Sequence, residues 1–120
     1  MAGKRKILVV DDDLEDLKLI TAILKKNKLS VHSATNGKEA LIAAQKAHYD
    51  IILIDLLMPT LSGYDVVNLL HERINHGTHI IFISVIPKNK VDLKNVDGFI
   101  QKPFSPESII RGIKEALNKA

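Results

Sequence analysis

Residues 51–63 read IILIDLLMPTLSG. Ile51, Ile52, Leu53 and Ile54 are apolar at every position rather than at every second one, so a strand built from them buries both of its faces. Such a strand belongs inside a parallel sheet that is covered by helices on both sides. Asp55 follows at once, and Leu56, Leu57 and Met58 come directly after it. An ionised carboxylate placed among core side chains needs something to stabilise it, and it needs a use.

Outward from this stretch the same kind of run recurs. ILVV at 7–10 and IIFI at 80–83 are equally apolar, and SVHSA at 30–34 and GFIQ at 98–101 are weaker versions. All are short, rich in β-branched residues and bounded by Asp, Gly or Pro, which reads as buried strands. Helical periods lie between them. Leu14, Leu17, Thr21 and Leu24 predict a helix over 14–27, with Asp13 as its N-cap and Asp16 in its first turn. Ala40, Leu41, Ala44 and Ala47 mark a second helix, and Val66, Val67, Leu70 and Ile74 a third. In the last segment Ser105 caps, Pro106 takes the first helical position, and Ile109, Ile110, Ile113 and Leu117 form one stripe. Between the fourth and fifth strands Val91, Leu93 and Val96 keep no helical stripe and Pro87 limits where a helix can begin, so that helix is expected to span about two turns or to be irregular. Strand and helix alternating in this way predict an α/β doubly wound domain with a five-stranded parallel sheet.

Composition narrows the classes. The 120 residues suit one domain with a core of its own, taken here as 1–120, and the absence of cysteine excludes disulfide and thiolate chemistry. The basic start of MAGKRKILVVDDD precedes only four apolar residues, short of a signal-peptide core or a membrane span. A soluble, intracellular and cytoplasmic protein is expected. The net charge of +3 is spread over separated lysines with few aromatics between them, which reads as solvated surface rather than a nucleic-acid patch. His71, His76 and His79 lie close together, but their spacing fits no helical metal pair, and surface positions are expected.

In an open parallel sheet the carboxyl ends of the strands share one edge, where ligands bind. Asp11 and Asp12 end the first strand, Asp55 the third, Ser84 the fourth and Lys102 the fifth. Three neighbouring carboxylates raise one another's pKa, and a divalent cation relieves them. Oxygen-only ligands in an incomplete protein shell favour Mg2+ over Zn2+. With the metal in place, Asp55 is free to act as a nucleophile, while Lys102 and Ser84 supply charge and a hydrogen bond to the oxygens of an incoming phosphoryl group.

ILVVDDD, DIILIDLLMPTLSGYDVV, IIFIS and GFIQKPFSPESI together resemble the receiver domains of two-component response regulators, and the resemblance covers essentially the whole chain. It implies a flavodoxin-like (βα)5 fold with strand order 2-1-3-4-5. It implies Asp55 as phosphoacceptor, Asp11, Asp12, Asp55 and the Leu57 carbonyl as Mg2+ ligands, and Ser84 and Lys102 as partners of the phosphoryl group. Ser84 and Phe99 would be the switch pair, and a cis bond would join Lys102 to Pro103. Leu57 and Ile86 would border the path of a hydrolytic water, where neither can hydrogen-bond it.

The implied function is a phosphoryl-accepting switch rather than a dedicated enzyme, fed by a sensor histidine kinase or a histidine phosphotransfer protein and read by an unidentified downstream protein, with no direct contact to nucleic acid or membrane. Taken singly, each residue has a plainer reading. Asp11 or Asp12 can be a helix cap, Ser84 a hydroxyl bonded to backbone, Phe99 core, and Lys102 a solvated strand end. Two other functions compete. A Mg2+-dependent phosphatase with an aspartyl nucleophile would want an acid where Leu57 stands, and a scaffold that never takes phosphate would have lost the acid pair, the acceptor or the lysine.

Overall fold

The computed structural model describes residues 5–74 and 77–118; His76 lies outside them. Ten short elements follow the chain: β1 (Lys6–Val10), α1 (Leu14–Lys26), β2 (Ser30–Ala34), α2 (Gly37–Lys46), β3 (Ile51–Asp55), α3 (Gly63–Arg73), β4 (His79–Ser84), a single 3-10 turn (Lys88–Lys90), β5 (Gly98–Gln101) and α4 (Pro106–Leu117). The five strands are all parallel and lie in the order 2-1-3-4-5.

The unbroken apolar runs become the three central strands, and the two-residue period of a strand sorts their side chains between two cores. Ile7, Val9, Ile51, Leu53, Ile81 and Ile83 point to one face, where Leu17, Ile20 and Leu24 of α1 and Ile109 and Ile113 of α4 cover them. Leu8, Val10, Ile52, Ile54, Ile80 and Phe82 point to the other, against Ala40 and Leu41 of α2 and Val66, Val67 and Leu70 of α3. Each fully buried Ile or Leu contributes roughly 1.5–3 kcal/mol. A one-residue slip of β3 would exchange its two sets of side chains, so the pairing Val10 with Ile54 and Asp55 with Ile83 holds Asp55 at the sheet edge.

Local chemistry sets the helix ends. The Asp13 carboxylate accepts the amides of Glu15 and Asp16 at 3.0 and 3.1 Å, which starts α1 where the sequence predicts. Its other end closes with Lys28 in the left-handed region, φ 63°, while the Lys28 and Leu29 amides return to the carbonyls of Lys25 and Leu24. Ser62 with Asp65 and Ser105 with Ser108 form reciprocal caps on α3 and α4.

The β4–β5 connection is irregular, as its spacing implies, and shorter in helix than the two turns allowed for it. Only Lys88–Lys90 turn, in 3-10 geometry, after Pro87. Val91, Leu93 and Val96 still pack, half-buried, against the α2/α3 core. Tyr64 reaches across from α3, with its ring edge-on to Phe82 at 5.4 Å and its hydroxyl accepting the Asp92 amide at 2.9 Å. His71 is exposed and joins the Asn95 carbonyl at 2.8 Å. No helix among the described residues is long and apolar enough to cross a membrane.

Candidate functional site

At the carboxyl edge of the sheet the loops after β1, β3, β4 and β5 converge. Asp11 is fully buried and turns one oxygen to the Asp13 amide at 2.9 Å, so the loop that caps α1 also fixes the first acid. Asp12 is exposed beside it. Asp55 ends β3 with 6% exposure, and one of its oxygens accepts the Leu57 amide at 3.2 Å. Oxygens of Asp11, Asp12 and Asp55 lie within 4.8 Å of one another.

Gly63 lets α3 begin directly under this loop. Its amide donates to the Leu56 carbonyl at 2.8 Å, and a Cβ there would meet the Asp55 carbonyl at 2.8 Å. Within the loop Thr60 sits at φ 71°, a strained setting for a β-branched residue.

Lys102, one residue beyond β5, extends its ammonium into the acid group. Nζ donates to Asp16 at 2.8 Å, Asp11 at 3.0 Å and Asp55 at 3.2 Å, and the side chain is only 10% exposed. The reading of Lys102 as a solvated strand end therefore fails. The Lys102–Pro103 peptide bond is cis.

Ser84 is fully buried at the end of β4, and its hydroxyl accepts the Ile86 amide at 3.1 Å. That bond uses an acceptor lone pair and leaves the hydroxyl proton available. Among the described hydrogen bonds none joins Ser84 to Asp55. Phe99 lies half-buried opposite Phe82 and packs on the α2/α3 core. Leu57 is 51% exposed beside Asp55, and Ile86 is half-buried after β4.

The electrostatics follow from this crowding. Burial first, and then the negative charge of Asp11, push the Asp55 carboxyl up to about 7, against the smaller opposing pull of Lys102 and the Leu57 amide. For Lys102, burial works to lower the ammonium's pKa, but hydrogen bonds to Asp16 and Asp11 and the charges of Asp55 and Asp11 outweigh it and the net shift is upward. One fixed cation thus faces more acid than it can neutralise. An oxygen-only cluster with surplus negative charge, one member of it exposed, suits a hard divalent cation such as Mg2+.

Two participants are absent from the sequence reading in these roles. In the sequence Asp16 reads only as a first-turn acid, yet side chains in a helix's first turn lean toward its N-terminus, which here is the edge that carries Lys102. In the sequence Gln101 reads only as a strand residue. Its amide donates to the carbonyls of Ser84 at 2.9 Å, Lys102 at 3.2 Å and Ile86 at 3.4 Å, tying the loop after β4 to the end of β5.

The chain is similar to known proteins over nearly its whole length. The family model described as "Response regulator receiver domain" matches residues 7–114. The transcriptional regulatory protein ResD of Bacillus subtilis (strain 168) is 34% identical over 122 aligned positions, which cover 98% of this chain and 50% of ResD. The chain spans about half the length of the curated relatives it matches. Among solved structures, the receiver domain of Francisella response regulator 1452 superposes with a TM-score of 0.82 at 31% identity, covering 95% of this chain and 98% of that one. The Vibrio cholerae chemotaxis protein CheY4 superposes with a TM-score of 0.85 at 28% identity, covering 95% of this chain and 99% of that one.

Proposed function

From the premise that the chain belongs to the response regulator receiver domains of two-component systems, whose role is to accept a phosphoryl group, we propose that Asp55 is the residue that accepts it. The observation that carries this reading is the convergence of Asp11, Asp12 and Asp55 within 4.8 Å, with the Lys102 ammonium 3.2 Å from the Asp55 carboxylate. A carboxylate oxygen of Asp55 attacks phosphorus and forms a new P–O bond. The donor's own bond to phosphorus breaks, and its electron pair leaves with the donor, an imidazole nitrogen of a phosphohistidine or the acetate of acetyl phosphate.

Asp11, Asp12, Asp55 and the Leu57 carbonyl would hold Mg2+. When bound, the cation supplies positive charge to the phosphoryl oxygens in flight. Lys102 adds a fixed ammonium on the other side. Ser84 accepts the Ile86 amide through a lone pair of its hydroxyl, so its proton is available to a phosphoryl oxygen. Drawing Ser84 inward would leave space for Phe99 to follow, and this pair forms the switch that a downstream protein reads.

The donor in this reading is a sensor histidine kinase or a histidine phosphotransfer protein in the cytoplasm. The domain spans 1–120, touches neither nucleic acid nor membrane, and loses its phosphoryl group slowly without being a dedicated hydrolase. The phosphatase alternative is weakened by Leu57, an exposed apolar side chain where that chemistry wants an acid.

Incubation with acetyl phosphate and Mg2+ should add the mass of one phosphoryl group. The gain should vanish with a chelator or in Asp55→Asn. A labelled Asp55→Asn protein would overturn the assignment.

A further inference from the structure

The ammonium of Lys102 has three N–H donors, and in this structure each goes to a different carboxylate. The shortest contact, 2.8 Å, is not to the acceptor or to a member of the metal cluster but to Asp16, on the first turn of α1 and 86 residues away in sequence. Asp11 and Asp55 belong to the group whose oxygens suit a cation, and Asp16 does not. Among the partners of Lys102, Asp16 alone has no second claim on its charge.

We infer that Asp16 is a positioning residue that tethers Lys102 from the α1 side. This rests on the reading of Asp55 as acceptor. A lysine on its four-carbon stem is a mobile point charge, and fixing it costs side-chain entropy each time it must be placed. With Asp11 and Asp55 committed to a cation, an untethered ammonium would lose two of its three partners and swing toward water. Asp16 keeps one donor anchored, so the others stay aimed at the space beside Asp55 where the phosphoryl oxygens arrive.

Geometry favours a tether over a competitor that would have to be displaced. The Asp16 contact and the Asp55 contact use separate hydrogens of the same ammonium, and the longest bond of the three, 3.2 Å, is the one to Asp55. That weakest bond is the one exchanged for a phosphoryl oxygen. Asp16 is itself held in place: its amide is fixed by the Asp13 cap at 3.1 Å, and its side chain is 27% exposed at the rim of the site.

The test compares wild type, Asp16→Leu, Asp16→Ala and Asp16→Glu in two measurements. The first is the rate constant for phosphorylation by acetyl phosphate at saturating Mg2+. Asp16→Leu should be slower by about tenfold, as expected for loss of a charge-assisted bond at the site, and Asp16→Glu should recover most of the rate. The second is the 15N-resolved signal of the Lys102 ammonium at saturating Mg2+, where Asp11 and Asp55 are committed to the cation. It should be sheltered from exchange in wild type and Asp16→Glu and lost in Asp16→Leu, a difference that loss of a helix-turn acid alone would not produce. If Asp16→Leu fails to give a cooperative melt, Asp16→Ala, which also removes the acceptor oxygens, takes its place and should show the same two losses. Phosphorylation of the Leu or Ala variant within twofold of wild type, or faster, would overturn the tether, and so would an unchanged ammonium signal. Asp55→Asn, run alongside, separates the two claims, because only label on that variant speaks against the acceptor.

Discussion

In the presence of a chelator, Asp55→Asn should be more stable than wild type at pH 8, by on the order of 4 kcal/mol, and the difference should close toward pH 4. The sign follows from the position of Asp55 at the end of β3. Burial and the charge of Asp11 raise its folded pKa to about 7, well above that of an unfolded aspartate near 4. The folded state therefore binds the proton more tightly than the unfolded state does. Whatever stability the protonated group contributes is complete below about pH 4 and is lost as pH rises through 7. Asparagine keeps the acceptor for the Leu57 amide and never ionises, so it escapes that loss. Urea unfolding at a series of pH values, each read as variant minus wild type, cancels the titration of the carboxylates remote from Asp55. A variant less stable than wild type at pH 8 would mean that Lys102 stabilises the Asp55 charge more than Asp11 and burial oppose it.

The phosphorylated protein should be long-lived, and Leu57→Asn combined with Ile86→Glu should speed its decay by about ten- to hundredfold, equivalent to roughly 1.4–2.8 kcal/mol of barrier. Hydrolysis needs a water aligned behind phosphorus, and alignment is worth several kcal/mol when polar groups supply it. The two side chains that follow the acceptor and the hydroxyl residue by two places are apolar here. Leu57 stands half-exposed beside Asp55, and Ile86 offers the site its backbone amide, which is engaged by Ser84. Neither side chain can hold a water. Loss of label after removal of the phosphodonor measures the rate. Equal or slower decay in the double variant would show that these residues do not protect the acyl phosphate. A slow intrinsic decay suits a signal that is stored or erased by a partner.

The sheet was legible in the sequence because its central strands are buried on both faces, which forces an apolar residue at every position of ILVV, IILI and IIFI. The caps at Asp13 and Ser105 were legible because they are local: each side chain bonds amides two or three residues ahead. The strand order came through resemblance, since periodicity says which residues are buried but not which strands are neighbours. The β4–β5 connection was readable only in part. Pro87 and the uneven spacing of Val91, Leu93 and Val96 argued against a regular helix, but the contacts that replace it come from Tyr64 and His71 on α3 and leave no local trace.

The site divides in the same way. Asp11, Asp12, Asp55, Ser84 and Lys102 could be gathered because each lies at or just beyond a strand's carboxyl end, and the topology brings those ends to one edge. The bond from Lys102 to Asp16 could not be read in that manner. It depends on how α1 is rotated against the sheet, which is set by the packing of Leu17, Ile20 and Leu24 on the side chains of β1 and β3. Gln101 escaped for a related reason, as its exposed side chain folds back over carbonyls of another loop.

Phosphoryl transfer leaves one covalent bond on the protein, and its position can be read directly. Borohydride reduces an aspartyl phosphate to homoserine, so protein phosphorylated with acetyl phosphate and Mg2+, then reduced and digested, carries a permanent mark where the phosphoryl group sat. The prediction is homoserine at position 55 and nowhere else, with none formed when Mg2+ is chelated. Homoserine at Asp11, Asp12 or Asp16, or phosphate retained on another residue with position 55 intact, would contradict it.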